Sequence, residues 1–141
     1  MRNIALAVIL ALFAAPSWSC ECAEWEDART MFDAADAIFV GTPGRGKVVK
    51  IDEYGQTILE NDFRVTLPIK RVVGPRVALR SHKDDGGNCG TAFRKGRGRW
   101  LVFAYLQDGF LQTDSCSIAN MSTSKIAQFV TELEVVGRSH P

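Results

Sequence analysis

Cys20-Glu21-Cys22 stands directly after a long apolar stretch, and the chain's two other cysteines, Cys89 and Cys116, lie far downstream. The residues before this tripeptide have the three parts of an export signal. Arg2 gives a positive start, residues 4–15 form an uninterrupted apolar run, and Pro16-Ser17-Trp18-Ser19 ends in the small-x-small pattern that signal peptidase requires. Residues 1–19 are therefore expected to be a signal peptide, with cleavage leaving Cys20 first in a single domain of residues 20–141. The apolar run is too short to span a bilayer and no later stretch is longer, so the expected location is secreted or periplasmic, without membrane association once the signal is removed. Lipoprotein processing would also begin at a cysteine, but Ser17-Trp18-Ser19 departs from the Leu-(Ala/Ser)-(Gly/Ala) stretch that precedes a lipidated one.

Of the 17 Lys and Arg residues only Arg2 falls in the leader, so the remaining chain balances its 16 acidic residues. That neutrality argues against a general binder of nucleic acid or anionic membrane. All four cysteines survive cleavage, and an exported chain meets an oxidising compartment, so two disulfides are expected. Of the three connectivities, the one that joins Cys20 to Cys22 is set aside. The other two connectivities each tie the N-terminus to two distant places, and closing such long loops contributes at most roughly 4–5 kcal/mol apiece. A four-cysteine zinc site lacks the paired knuckle spacing such sites use.

Further along, Trp25, Ala28, Phe32 and Ala35 share one stripe over residues 23–37, behind Glu24, Glu26 and Asp27, which predicts a short helix. Ala37-Ile38-Phe39-Val40-Gly41 reads as a buried strand broken by Thr42-Pro43-Gly44-Arg45-Gly46, and residues 47–51 resume it. A hairpin tip at residues 52–56 leads to a long strand over residues 57–72, which Pro68 should end or bulge. Val77 and Leu79 alternate with Arg76 and Arg80 in another strand, followed by a polar loop over residues 81–88. Trp100-Leu101-Val102-Phe103-Ala104-Tyr105 is apolar on both faces and is the best central strand, with Asp108-Gly109 turning it into Phe110-Leu111-Gln112-Thr113. Ile126, Phe129, Val130 and Leu133 recur at helical spacing behind Ser122 or Ser124 as the N-cap. Five or six strands with a helix near each end predict a mainly β fold, a small closed or nearly closed antiparallel barrel with helices packed outside it; an OB-type barrel fits that count, and strand number alone does not separate it from a sandwich.

Four stretches together resemble one family. The signal ending directly before Cys20-Glu21-Cys22, the strand Phe39-Val40-Gly41-Thr42-Pro43, the Cys89-Gly90 step, and Leu106-Gln107-Asp108-Gly109-Phe110-Leu111 leading to Cys116-Ser117 are similar to the inhibitory domain of the tissue inhibitors of metalloproteinases. The resemblance spans nearly all of residues 20–141. It implies a netrin-like OB-fold barrel, disulfides Cys20–Cys89 and Cys22–Cys116, and inhibition by the N-terminus itself. The α-amino group and carbonyl oxygen of Cys20 would chelate the catalytic zinc of a target peptidase. Glu21 would enter its primed-side pocket, and Gly87 and Asn88 would flank the corner formed with Cys22. Four cysteines leave no pair for the third disulfide that the animal inhibitors carry in this domain, no second cysteine-rich domain is expected, and Glu21 stands where they usually carry Thr or Ser.

With the cysteines oxidised there is no thiol nucleophile, and no Ser/His/Asp set or carboxylate pair stands out, so no enzymatic activity and no resident cofactor are expected. His82 and His140, the only histidines, are expected to be exposed bystanders. Trp25 and Trp100 are expected in the core. Arg94-Lys95-Gly96-Arg97-Gly98-Arg99 reads as a solvated hairpin tip between strands, although a basic glycine-rich loop on an OB barrel could also hold a polyanion. Two functions follow: a monomeric inhibitor of a zinc metallopeptidase, or a non-inhibitory netrin-like module that binds an extracellular protein or polyanion.

Overall fold

Strands whose residues are apolar on both sides must be covered on both sides, and two such strands organise this chain. The computed structural model describes residues 20–72, 74–85 and 88–139. Its elements are α1 (Ala28–Ala34), β1 (Ala37–Ile51), β2 (Thr57–Lys70), β3 (Arg76–His82), β4 (Trp100–Gln107), β5 (Phe110–Gln112), β6 (Ile118–Asn120) and α2 (Ser124–Ser139). The expected signal peptide, Gly87 and His140 lie outside the described residues.

The sheet runs β1-β2-β3-β5-β4-β6, and β1 also pairs with β4, so the strands close in a ring. β1 and β4 are antiparallel over Ala37↔Ala104 to Gly41↔Trp100. Because side chains alternate between the faces of a strand, each of these two strands feeds two cores. Ile38 and Val40 of β1, with Leu101 and Phe103 of β4, pack against Ala28, Phe32 and Ala35 of the α1 region and Val130 and Leu133 of α2. Ala37, Phe39, Val102 and Ala104 point the other way and meet Phe63 of β2 and Leu79 of β3. Phe39, Phe63 and Phe103 are fully buried. The doubly apolar reading of residues 100–105 is thus what the structure contains, with helices on one side and the ring's own strands on the other.

Several expectations are corrected. Residues 42–46 do not break the first strand: β1 runs on to Ile51, and register shifts opposite β2 absorb the extra residues between Pro43 and Gly46. A bulge is where a strand tolerates proline, and Gly44 is required because a Cβ there would stand 2.4 Å from the Asp62 carbonyl oxygen. Pro68 likewise sits next to a register shift, opposite Phe39, and β2 continues only to Lys70. The sheet is not wholly antiparallel, since β3 and β5 pair in parallel at Arg80↔Gln112. Ser81 and His82 belong to β3 rather than to the following loop, and the short β6 had no signal in the sequence.

The first helix is shorter than its stripe suggested. Asp27 caps it, accepting the N–H groups of Arg29 at 2.9 Å and Thr30 at 3.1 Å, so Trp25 and the acids before Asp27 lie ahead of the helix. The Thr30 N–H and hydroxyl hold the Asp27 carboxyl below its ordinary value. At the other end the Lys70 ammonium donates to the carbonyls of Phe32 and Ala35, where the helix dipole favours a cation. For α2 the cap is neither Ser122 nor Ser124 but Thr123, whose hydroxyl accepts the Ile126 N–H.

Leu133 is the deepest residue of α2, fully buried between helix and sheet. Leu133→Ala is expected to lower the unfolding free energy by about 2–5 kcal/mol in urea titration, with the slope against urea unchanged.

Candidate functional site

The N-terminal arm ahead of α1 carries no regular secondary structure, so its position depends on what ties it down. Two disulfides do so: Cys20–Cys89, with Cα atoms 5.5 Å apart, and Cys22–Cys116, at 5.3 Å. The pairing is the one the resemblance implied. A third tie was missed from the sequence, where Trp25 read only as a core residue. Its indole N–H donates to the carbonyl oxygen of Cys116 at 2.8 Å, while its ring meets Phe103 edge-on at 5.1 Å and Phe129 at 5.6 Å. A tryptophan with its body in the core and its N–H on a specific acceptor fixes both depth and rotation.

The two anchor loops are themselves joined. The Ser115 N–H donates to the Cys89 carbonyl at 3.3 Å. Asp114 shapes the second loop, its carboxylate accepting the Cys116 N–H at 2.9 Å and its carbonyl the Ser117 N–H at 3.2 Å. Ser117 then passes the connection to the central strand, its carbonyl accepting the Phe103 N–H at 2.9 Å. The first loop is held through Asn88, whose side chain donates to the Lys83 carbonyl at 2.9 Å and accepts the Gly90 N–H at 3.2 Å. Thr91 completes that hold, its buried hydroxyl donating to Ser81 Oγ at 2.6 Å.

Of the residues expected to form the corner, Cys20, Glu21, Cys22 and Cys89 are exposed and Asn88 is half-buried. Glu21 has no hydrogen bond or ion pair among the described residues, so its carboxylate faces solvent. The bridges bring Cys20 next to the Asn88-Cys89 step, whereas Gly87 lies outside the described residues. No group of three or more His, Cys, Asp or Glu that could hold a metal ion occurs among the described residues. No described helix is long and apolar enough to cross a membrane, and the two disulfides are compatible with an extracytoplasmic protein.

His82 is not a bystander. Its Nε2 lies 3.2 Å from Asp52 Oδ2, and the same carboxylate accepts the N–H groups of Tyr54 at 3.0 Å and Gln56 at 2.8 Å. The Gln56 N–H is the chief reason the Asp52 carboxyl lies below its ordinary value, with His82 adding to it. The pair fixes the β1–β2 turn to β3. The basic run is also placed differently from expectation. It is not a tip between two strands but a turn ahead of β4, docked on β1 by the Gly96 N–H donating to the Pro43 carbonyl at 2.8 Å.

No protein-family model matches the chain, and no curated protein matches it.

Gly90 was part of the sequence resemblance, and its role here is steric. A Cβ at that position would stand 2.6 Å from the Lys83 carbonyl and the Asp84 nitrogen, all backbone atoms that cannot swing away. Gly90→Ala is expected to cost about 1–3 kcal/mol in thermal or urea unfolding and to make the Cys20–Cys89 bridge the more readily reduced of the two, read by partial reduction and peptide mapping.

Proposed function

We propose that this chain is an inhibitor of zinc metallopeptidases of the kind the tissue inhibitors of metalloproteinases represent, acting once cleavage after Ser19 frees the α-amino group of Cys20. On this reading the ring of strands is an OB-type, netrin-like barrel, and the closure of β1 on β4 and the single parallel β3–β5 contact support it. The observation that carries the proposal is the corner. Cys20 and Cys22 are exposed yet bridged by their side chains to two loops that hydrogen-bond each other, so the main chain between them is held while remaining accessible.

Such a corner suits zinc. A catalytic zinc keeps one position for water, and an uncharged amine with the neighbouring carbonyl oxygen can displace that water as a five-membered chelate. The ammonium must first lose its proton to solvent, which an α-amino group does readily near its ordinary pKa of about 7.7–8.0. Using the cysteine side chain for the tether leaves the main-chain atoms for the metal, and a corner already held rigid loses little freedom on binding. Glu21 defines the class of target. A carboxylate buried in an apolar pocket loses its hydration without a partner, so the preferred peptidase has a basic or open primed-side pocket.

The test compares protein beginning at Cys20, with both bridges verified by peptide mapping, against the same protein carrying one additional alanine before Cys20. Across a panel of zinc metallopeptidases the first is expected to inhibit and the second not. Inhibition should strengthen as pH rises through about 7 to 8, because the deprotonated amine is the binding form. Glu21→Thr should improve inhibition of peptidases with apolar primed-side pockets and weaken that of peptidases with basic ones. Equal potency of the extended protein would overturn the chelation mechanism. Failure of the protein beginning at Cys20 to inhibit any of the panel would leave the non-inhibitory netrin-like module as the better account.

A further inference from the structure

We propose that the groove between the N-terminal arm and α2 is a binding site for a linear aliphatic polyamine, a molecule of ammonium groups joined by methylene stems. The groove has a volume of about 520 Å3, within the range of small-molecule sites. Its apolar wall is Trp25 from the arm with Ile126 and Phe129 from α2, and its acids are Glu24 and Glu26 from the arm and Glu132 from α2. Among the described residues Lys125 is the one cation in the lining. None of these residues belongs to the bridged corner, and the inference does not depend on inhibition.

The wall is built in advance of any ligand. Trp25 is fixed in depth and rotation by its hydrogen bond to the Cys116 carbonyl and by its ring contacts with Phe103 and Phe129. Ile126 and Phe129 are three residues apart on α2, and Glu132 follows Phe129 by another three, so the helix presents two apolar side chains and a carboxylate along one face. Trp25, Ile126 and Phe129 are only half-buried, which leaves part of each open to the groove. A site whose wall is already in place loses little freedom when it is filled.

The acids of the groove are uncommitted. Among the described residues the side chains of Glu24 and Glu26 have no hydrogen bond or ion pair, and Glu132 accepts only from the Gln128 amide, at 3.4 Å. Residues 21–36 carry six acids against Arg29 alone, and Arg29 is itself paired with Asp33 at 3.4 Å. The cations gather elsewhere, at Arg64 and Arg76, which are directly opposite in the β2–β3 register, and over residues 94–99, which hold four cations and no acid. Three carboxylates thus share a groove with one ammonium beside an apolar wall that stays wet. An occupant that is cationic at intervals and apolar between relieves the repulsion and covers the wall together.

The form of the groove selects the ligand. Among the described residues no group of three or more His, Cys, Asp or Glu could hold a metal ion, so these carboxylates do not converge on one point as a divalent cation requires. Acids that are spread along a groove suit ammonium groups that are spread along a chain. Aromatic faces attract cations as well as covering hydrocarbon, and aliphatic stems that end in ammonium groups lie readily on apolar surface. A linear polyamine combines both features in one molecule.

The experiment titrates protein beginning at Cys20, with both bridges intact, with spermidine by isothermal calorimetry near physiological salt. No peptidase is present, so its outcome is separate from that of the chelation test. Quenching of tryptophan fluorescence gives a second readout at Trp25. Glu24→Gln combined with Glu132→Gln removes two carboxylates that have no ion pair, and circular dichroism checks the fold. Glu53→Gln combined with Glu134→Gln makes the same change of charge elsewhere. The first double variant is expected to lose roughly fivefold or more in affinity for spermidine, and the control pair less than about twofold. An eight-carbon diamine is expected to bind roughly tenfold more tightly than an analogue of equal length and charge in which two methylenes are ether oxygens, because the stems lie on the apolar wall. Parallel titrations with magnesium chloride and an end-blocked lysine tripeptide, and sedimentation velocity of the protein alone, test the other occupants. Any one of the following results would overturn the proposal: no saturable binding of spermidine, equal losses in both double variants, equal affinity for the diamine and its ether analogue, displacement of spermidine by magnesium at matched charge, tighter binding of the tripeptide than of spermidine, or self-association that the first double variant abolishes.

Discussion

Cys116 is where the arm, the central strand and the second helix are made to agree. Its sulfur holds Cys22, its carbonyl receives the Trp25 indole, and its neighbour Ser117 is hydrogen-bonded to Phe103 in β4. Through Trp25 the same point reaches Phe129 of α2. An arm without helix or strand has no hydrogen-bond ladder of its own to set its course, so these three contacts replace one. Cys89 then serves as a second, shorter leash at the tip. Without the Trp25 contact the two bridges would still limit how far the arm strays, but not which way it faces.

The regular parts of the chain were legible because burial writes a period into the sequence. Residues 100–105 showed that a strand would be covered on both faces, and the spacing of Ile126, Phe129, Val130 and Leu133 marked α2. Breaks in that period were harder to read. Pro43, Gly44 and Gly46 look like a turn, yet the long partner β2 holds β1 on course and the irregularity becomes a bulge. Composition alone cannot separate a turn from a bulge, since both call for residues with unusual backbone freedom. The corner was legible only through cysteine spacing and family resemblance. The Trp25–Cys116 and His82–Asp52 contacts were not, because a side-chain bond across 91 or 30 residues leaves no local trace.

The charge distribution has the same character. Arg45, Arg64, Arg76 and Lys95 come from four separated stretches, none unusual by itself except the last. Strand register brings the middle two face to face, and one main-chain hydrogen bond adds the turn. A neutral total charge therefore says little about where a protein's cations gather.

Both disulfides begin within three residues of each other in the arm and end in loops that follow β3 and β5. They close 69 and 94 residues of chain, and those spans overlap. Neither lies wholly inside the hydrophobic packing that joins the ring to the helices, which is supplied by apolar side chains alone. The two contributions are of different kinds: the ring is packed by hydrophobic contacts, whereas the hold on the corner comes from paired thiols. Where the thiols stay reduced the arm keeps only its Trp25 tie and the ring loses the stabilisation that both closed loops supply, so one oxidation sets both the corner and the margin by which the chain stays folded.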